Sequence, residues 1–148
     1  MDTTLIILKP DAVQRGLCGR IITRFEEKGL QIVGMKLMQI SQDLAATHYK
    51  DHASKPFYPG LVRFMTSSPV VVMAVQGIGA ITICRNMMGA TFGSKANPGT
   101  IRGDFAVDVG RNICHGSDAV ESANAEIKHW FPEGVVEWAS HSAPQLYE

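Results

Sequence analysis

Short apolar runs alternate along this chain with segments in which apolar residues recur every three or four positions. Residues 5–8 and 70–75 are unbroken apolar runs, which are typical of buried strands. Residues 19–29 place apolar side chains at helical spacing and end on a glycine, which predicts an amphipathic helix with a glycine C-cap. Residues 30–40 are rich in β-favouring apolar side chains and predict a second strand.

The same patterns predict helices at residues 41–48, 61–65, 78–88 and 118–131, and a strand at residues 110–113. Residues 89–103 hold four glycines and one proline and lack apolar periodicity, so we expect a long functional loop there. The order of elements predicts an α+β, ferredoxin-like βαββαβ fold, with a four-stranded antiparallel sheet and helices packed on one face. No linker divides the chain, so we expect one domain over residues 1–148.

The charge balance excludes some classes of protein. Fourteen basic and fourteen acidic side chains cancel, so the chain has no broad positive field for nucleic acid or an acidic membrane. The apolar run near the N-terminus is too short to span a bilayer. Three cysteines without paired spacing indicate reduced thiols rather than a disulfide framework or a zinc site, and we expect a cytoplasmic protein.

His115 lies in the segment 110–118, where a predicted strand ends and a helix is expected to begin. Asp118, with Glu121 three residues later, has the spacing of a capping box and is the predicted N-cap. Unpaired amides at a helix N-terminus favour an anion such as phosphate. The alternative is a loop histidine that merely ends a strand, and this is the commoner case for a lone histidine.

Glu126 lies beside the apolar stripe of the same predicted helix, three residues after Ala123 and four before Trp130. A carboxylate that is partly buried there needs a partner, and His115 is a candidate. Such a carboxylate would fix the histidine tautomer and leave the other ring nitrogen free to attack. On spacing alone, a solvated glutamate on the edge of the helix is an equal alternative.

Phosphoryl transfer requires positive charge around several phosphate oxygens at once. The candidate phosphate ligands are Lys9, Arg85, Arg102 and Thr91. Each of them, taken alone, is more often a solvated surface residue. Lys9 is the exception in its setting, because it follows four apolar residues and precedes a proline.

Other familiar motifs are missing or incomplete. The chain has no GxxxxGK[ST] segment, so it is not a P-loop kinase, and Gly77-Ile78-Gly79 is only a fragment of a dinucleotide fingerprint. His48 and His52 are four residues apart, as a helical metal pair would be, but no third ligand is near them in sequence. We therefore predict that both histidines are surface residues.

The segment Asn112–Asp118, with the sequence Asn-Ile-Cys-His-Gly-Ser-Asp, resembles the active-site signature of nucleoside diphosphate kinases. The resemblance extends over essentially the whole chain. It includes residues 7–11, 13–16, 24–29, 56–58 and 98–105.

The resemblance implies a ping-pong exchange, in which a nucleoside triphosphate phosphorylates His115 and a different nucleoside diphosphate then collects the phosphoryl group. It also implies that Glu126, held by Ser117, hydrogen-bonds one ring nitrogen of His115. Lys9 and Asn112 would reach the ribose 3′-hydroxyl, with Lys9 also near the transferred phosphoryl group.

The resemblance assigns the remaining nucleotide contacts as well. Phosphates would be bound by Arg85, Thr91 and Arg102, and the base would lie between Phe57 and Val109 with Leu61 nearby. Tyr49 would help to position Lys9 and the histidine. Mg²⁺ would be held mainly by the nucleotide phosphates and not by a protein cage.

The chain departs from the family pattern at two places. Gln76-Gly77-Ile78-Gly79 replaces Glu-Gly-x-Asn, and Thr91-Phe92-Gly93 replaces Thr-Asn-Pro in a loop that contacts neighbouring subunits in the family. The tail ending in Leu146-Tyr147-Glu148 resembles that of family members that form hexamers, so we expect a hexamer rather than a tetramer.

Two other functions are compatible with parts of this pattern. A ferredoxin-like regulatory domain could bind nucleotide without turning it over, but it would have no need for His115, Glu126 and Lys9 together. A nucleic-acid-binding protein fits poorly with a net charge of zero.

Overall fold

Four antiparallel strands form one sheet in the computed structural model, which describes residues 1–148. The strands are β1 (Asp2–Leu8), β2 (Gln31–Met38), β3 (Val70–Gly77) and β4 (Cys114–Gly116), and their order across the sheet is β2-β3-β1-β4. Long crossovers place the first and third strands at the centre. The predicted α+β fold of the ferredoxin-like βαββαβ type is therefore confirmed.

Seven α-helices accompany the sheet. They are α1 (Pro10–Gln14), α2 (Cys18–Glu27), α3 (Gln42–His48), α4 (Tyr58–Met65), α5 (Ala80–Met88), α6 (Ile101–Phe105) and α7 (Val120–Trp130). Ser41 is the N-cap of α3, because its hydroxyl accepts a hydrogen bond from the Leu44 amide at 3.1 Å.

Helices cover both faces of the sheet, so the prediction of helices on one face is wrong. In β1, Ile6 and Leu8 pack into a core with α2 and α5, whereas Leu5 and Ile7 pack into a second core on the opposite face. The second core includes Trp130 from α7 and residues of α3 and α4. Two buried faces explain why β1 is an unbroken apolar run instead of an alternating one.

The segment around the signature histidine begins its strand later than predicted. β4 is three residues long and starts at Cys114, not at Gly110, because Ile113 has a φ of 78° and interrupts extended backbone just before the strand. His115 is consequently a strand residue, and its backbone lies opposite Ile7 of β1.

Helix α7 also begins later than predicted, and its capping differs. Its N-cap is Ala119, not Asp118. The Ser122 hydroxyl accepts a hydrogen bond from the Ala119 amide at 3.0 Å and donates to the Asp118 carboxylate. Ser122 therefore takes the place that the sequence assigned to Glu121.

The last residues of the chain pack along the edge strand β2. The Val136 amide donates to the Val33 carbonyl at 2.8 Å, and the Trp138 indole donates to the Ile32 carbonyl at 3.0 Å. None of the helices combines the length and the hydropathy needed to cross a lipid bilayer.

The segment predicted as a long loop contains a short 3₁₀ turn at Gly93–Lys95 and the start of α6. Thr100 caps α6 by accepting a hydrogen bond from the Gly103 amide at 3.0 Å. Gly93 is buried, and a Cβ atom placed on it would lie 2.5 Å from the Cβ of Ala106 and 2.7 Å from its carbonyl carbon. In this chain an added Cβ at Gly93 would therefore require Ala106 to shift.

We expect Gly93→Ala to lower the free energy of unfolding by about 1–3 kcal/mol, because the added methyl group overpacks a contact with backbone. Gly19→Ala is the matched control, since Gly19 is exposed in α2 and its added Cβ would contact nothing within 4 Å. The control should leave stability unchanged or raise it by about 0.5–1 kcal/mol. Urea unfolding at one protein concentration measures both, and equal midpoints for Gly93→Ala and the parent would contradict the packing argument.

Candidate active site

The His115 imidazole is held by a carboxylate. Its Nε2 lies 2.6 Å from Oε1 of Glu126, which projects from α7, and both side chains are largely buried. Burial alone would raise the pKa of the Glu126 carboxyl, but the hydrogen bond and charge of His115, with smaller contributions from His48 and Ser117, together lower it. An ionised carboxylate only accepts hydrogen bonds. Nε2 therefore carries the proton, and Nδ1 is the nitrogen with a free lone pair.

Ser117 connects this pair to the central strand. Its hydroxyl donates to Oε1 of Glu126 at 3.1 Å and accepts a hydrogen bond from the Leu5 amide at 3.2 Å. The side chain is fully buried. Ser117 thus ties the carboxylate on α7 to β1, next to the strand that carries His115.

Ile113 introduces a strained turn two residues before the histidine. A positive φ is a genuine outlier for a β-branched residue. The Ile113 amide donates to the Asp11 carboxylate at 3.0 Å, and the Ile113 carbonyl accepts from the Lys9 amide at 2.8 Å. Both partners, Lys9 and Asp11, follow β1 directly. Their hydrogen bonds therefore fix the turn at Ile113, from which β4 begins.

Lys9 and Asn112 meet beside this turn. The Lys9 ammonium donates to Oδ1 of Asn112 at 2.8 Å, and the Asn112 amide donates to the Thr91 carbonyl at 3.2 Å. Burial lowers the pKa of Lys9 to about 8, and the charge of Arg102 contributes in the same direction. Lys9 is therefore a cation close to its titration point at physiological pH.

Arg102 is buried and bonded to three backbone carbonyls. Its Nε donates to Asn112 at 3.1 Å, one terminal nitrogen donates to Gly89 at 3.0 Å, and the other donates to Cys114 at 2.7 Å. A guanidinium has five N–H donors, so two remain for another acceptor. Arg102 fixes the backbone on both sides of Ile113 while keeping its positive charge beside the site.

Two further residues of the expected site are Arg85, a predicted phosphate ligand, and Tyr49, a predicted positioning residue. Arg85 of α5 donates to the Gly116 carbonyl at 3.3 Å, one residue beyond His115. The Tyr49 hydroxyl is buried and makes no hydrogen bond within the chain. Burial raises the pKa of Tyr49, so its hydroxyl keeps its proton.

A cleft of about 760 Å³ opens beside these residues. Its apolar lining includes Phe57 and Leu61 from the α4 region and Val109 from the loop before β4. The polar residues Lys9, Thr91 and Asn112 line it as well. This volume and this mixture of apolar and polar lining are typical of a small-molecule site. All the predicted base-stacking residues therefore line one cleft.

His48 is not a surface residue, so that prediction is wrong. Its side chain is largely covered, Nδ1 accepts a hydrogen bond from the Trp130 indole at 3.1 Å, and its ring centroid lies 4.9 Å from that of His115. His52 is also partly buried and its ring lies 5.5 Å from that of Phe57.

Four residues of the site were missed by sequence reasoning: Asp11, Ile113, His48 and Trp130 as a hydrogen-bond donor. A signal exists for His48, because it lies four residues after Leu44 and three after Ala45, on the apolar face of α3. The strain at Ile113 has no signal in a single sequence.

Comparison with known proteins identifies the family. The nucleoside diphosphate kinase family model matches residues 2–136. A nucleoside diphosphate kinase B from Flaveria bidentis is 53% identical over 148 residues, which cover 100% of both chains. The chain belongs to the nucleoside diphosphate kinase family. The resemblance read from the signature segment is thereby confirmed, and the chain is a phosphotransferase.

Solved structures of nucleoside diphosphate kinases share the whole fold. A halophilic member from Halobacterium salinarum, in complex with CDP, matches with a TM-score of 0.97 at 45% identity and covers 99% of each chain. A member from Babesia bovis matches with a TM-score of 0.96 at 42% identity, covering 99% of this chain and all of that one.

For this nucleoside diphosphate kinase, we expect ADP affinity to fall as the pH rises through about 8. The pKa of Lys9 is lowered to about 8 in the folded protein. Its side chain is therefore positively charged below that pH and loses the charge above it. Calorimetric titration of ADP from pH 7 to 10 measures the effect. In Lys9→Arg the fall should vanish from this range, because a guanidinium stays charged.

The exposed Lys28 provides the control, since Lys28→Arg should keep the parent's pH dependence. An ADP affinity that is constant from pH 7 to 10 in the parent would contradict the assignment. So would an identical fall in Lys9→Arg.

Proposed function

We propose that Nδ1 of His115 carries the phosphoryl group in a two-step exchange between nucleotides. In the first step Nδ1 attacks the terminal phosphorus of a nucleoside triphosphate, a P–N bond forms, and the P–O bond to the leaving diphosphate breaks. In the second step the terminal oxygen of another nucleoside diphosphate takes the phosphoryl group from Nδ1. The observation that carries this proposal is the 2.6 Å contact between Nε2 and Glu126, which leaves Nδ1 unprotonated.

Glu126 keeps its ionic hydrogen bond throughout both steps. As positive charge develops on the attacking imidazole, the adjacent carboxylate stabilises it, and the proton stays on Nε2. Ser117 keeps the carboxylate in place through its hydrogen bond to Oε1. No proton has to leave the histidine before it attacks.

Positive side chains neutralise the phosphate oxygens in this proposal. Arg85, Arg102 and the Thr91 hydroxyl bind the phosphates. The two arginines are bonded to backbone carbonyls within Asn112–Gly116, and the Thr91 carbonyl accepts from the Asn112 side chain, which supports these roles. Lys9 and Asn112, already bonded to each other, bind the ribose 3′-hydroxyl, with Lys9 near the transferred phosphoryl group. Tyr49, whose buried hydroxyl has no partner within the chain, helps to position Lys9 and the histidine.

The base is held by stacking rather than by edge recognition. Phe57 and Val109 are half-exposed on the lining of the cleft, with Leu61 beside them. Every base has a π-face, so a stacking site tolerates purines and pyrimidines alike. This supports broad use of nucleoside tri- and diphosphates.

Mg²⁺ enters this site as part of the nucleotide complex. The residues that line the cleft include no aspartate or glutamate, so the phosphates rather than the protein supply its oxygen ligands. The bound ion would neutralise charge on the transferred phosphoryl group.

Three further properties belong to the proposal. The chain is one domain over residues 1–148 and assembles as a homo-oligomer, a hexamer rather than a tetramer. Met35 and Leu37 are exposed on the edge strand β2, and Phe92 and Val107 are exposed elsewhere, as subunit contacts would be. The mass in solution, six or four times the 16.1 kDa chain, decides the stoichiometry.

Three free cysteines support a reducing, cytoplasmic setting.

Incubation with γ-labelled ATP and Mg²⁺ should place an acid-labile, alkali-stable label on the protein. The label should be absent from His115→Ala and present on His141→Ala, which removes an exposed histidine of the tail. Addition of unlabelled CDP should transfer the label to CTP.

A folded protein that binds nucleotide and takes no label would contradict the carrier role and would favour a non-catalytic regulatory domain. A label that persists in His115→Ala would place the carrier on another residue.

A further inference from the structure

The His115 ring has a second neighbour besides Glu126. The ring of His48 lies at 81° to it, with 4.9 Å between the ring centroids. This perpendicular, edge-to-face arrangement is a favourable packing geometry for aromatic rings. The ring of His115 is therefore restrained by a carboxylate at one nitrogen and by a second imidazole across the ring.

His48 is itself immobilised by two aromatic neighbours. Its ring is perpendicular to those of Tyr49, at 4.6 Å, and Trp130, at 5.2 Å. The Trp130 indole N–H donates to Nδ1 of His48 at 3.1 Å. Trp130 is almost fully buried, so its N–H has little access to water and depends on this acceptor.

The hydrogen bond from Trp130 also sets the protonation of His48. Because Nδ1 accepts, the neutral ring carries its proton on Nε2. Burial, followed by the charge of His115, lowers the pKa of His48 to about 3. The titratable groups near His48 are His115, Glu126, His129, Lys9 and the protonated Tyr49. His48 is thus a neutral ring near physiological pH.

One helix controls both restraints on the nucleophile. Glu126 and Trp130 are four residues apart on α7, so they lie on one face of that helix. Glu126 bonds His115 directly, and Trp130 acts on it through His48. A shift of α7 would change both contacts together.

We propose that His48 is a positioning residue, whose neutral ring, anchored by the Trp130 indole, keeps the His115 imidazole in the plane that places Nε2 on Glu126 and leaves Nδ1 free. The proposal rests on the proposed role of His115 as the phosphoryl carrier. Without this ring, His115 would be free to rotate about its side-chain bonds and to lose the Glu126 contact. A misplaced nucleophile slows the chemical step and leaves nucleotide binding unchanged.

Two substitutions separate the ring of His48 from its hydrogen-bond acceptor. His48→Asn places an amide oxygen near the position of Nδ1, so Trp130 keeps an acceptor, but the ring against His115 is lost. His48→Phe keeps a ring against His115 but leaves the buried Trp130 N–H without an acceptor, which costs about 1–3 kcal/mol of stability. His48→Asn therefore removes the ring and keeps the acceptor, whereas His48→Phe keeps the ring and removes the acceptor.

The experiment measures the single-turnover rate of protein phosphorylation at saturating ATP and Mg²⁺, the KM for ATP, and urea unfolding. We expect His48→Asn to lose its ring contacts but keep the Trp130 acceptor, and to be about 10- to 100-fold slower in phosphorylation, with KM unchanged. We expect His48→Phe to be less stable than His48→Asn and yet faster. His141→Ala, in the exposed tail, should match the parent in all three measurements.

A purely structural role for His48 predicts the reverse order, because rate would then follow stability and His48→Phe would be the slower variant. That order would overturn the proposal. A His48→Asn variant as fast as the parent would overturn it too, as would a rate loss matched by a rise in KM. A parent protein that takes no label would instead contradict the carrier role of His115.

Discussion

An imidazole nitrogen and a carboxylate oxygen lie 2.6 Å apart in this protein, on two different elements of the fold. His115 is on β4 and Glu126 is on α7, so their contact exists only while the helix lies against the sheet edge where β4 pairs with β1. Ser117 adds a bond from the carboxylate to the backbone of β1. The contact fixes which nitrogen of His115 is protonated, and the chemistry of the site depends on that choice.

A strained turn positions the strand that carries the histidine. A φ of 78° at a buried isoleucine costs on the order of 1–3 kcal/mol and persists only where the surroundings enforce it. Asp11 binds the Ile113 amide, and Arg102 binds the carbonyls of Asn112 and Cys114 on either side. Arg102 therefore has a structural role besides its proposed contact with phosphate. Arg102 is thus bonded to the backbone that positions His115.

Much of the fold follows from local patterns, and the errors have identifiable causes. The apolar runs of β1 and β3 are long enough to be recognised, and Ser41 caps α3 through a contact three residues away. The three residues of β4 are too few to show a period, so the sequence pattern predicts a start at Gly110 instead of Cys114. The unbroken apolar run of β1 does indicate burial on both faces, so the prediction of helices on one face conflicts with a pattern that is present in the sequence.

The sequence predicts which residues belong to the active site but not how they contact one another. The signature around His115 and its resemblance to a known family gave the candidate residues, while spacing alone left Glu126 undecided between an orienting and a solvated role. The partner of His48 is 82 residues away in the chain, and no periodicity reports a contact of that kind. Local sequence indicated which residues to expect in the site, and tertiary packing determines which nitrogen of His115 is left free.

Nitrogen-15 NMR of His115 in the nucleotide-free enzyme, near pH 7.5, tests the central claim most directly. The account predicts one tautomer, with the proton on Nε2 and an unprotonated Nδ1, because the Glu126 carboxylate accepts only from a protonated nitrogen. A proton on Nδ1, or a mixture of the two tautomers, would contradict it, because the nitrogen assigned as the nucleophile would then lack its free lone pair.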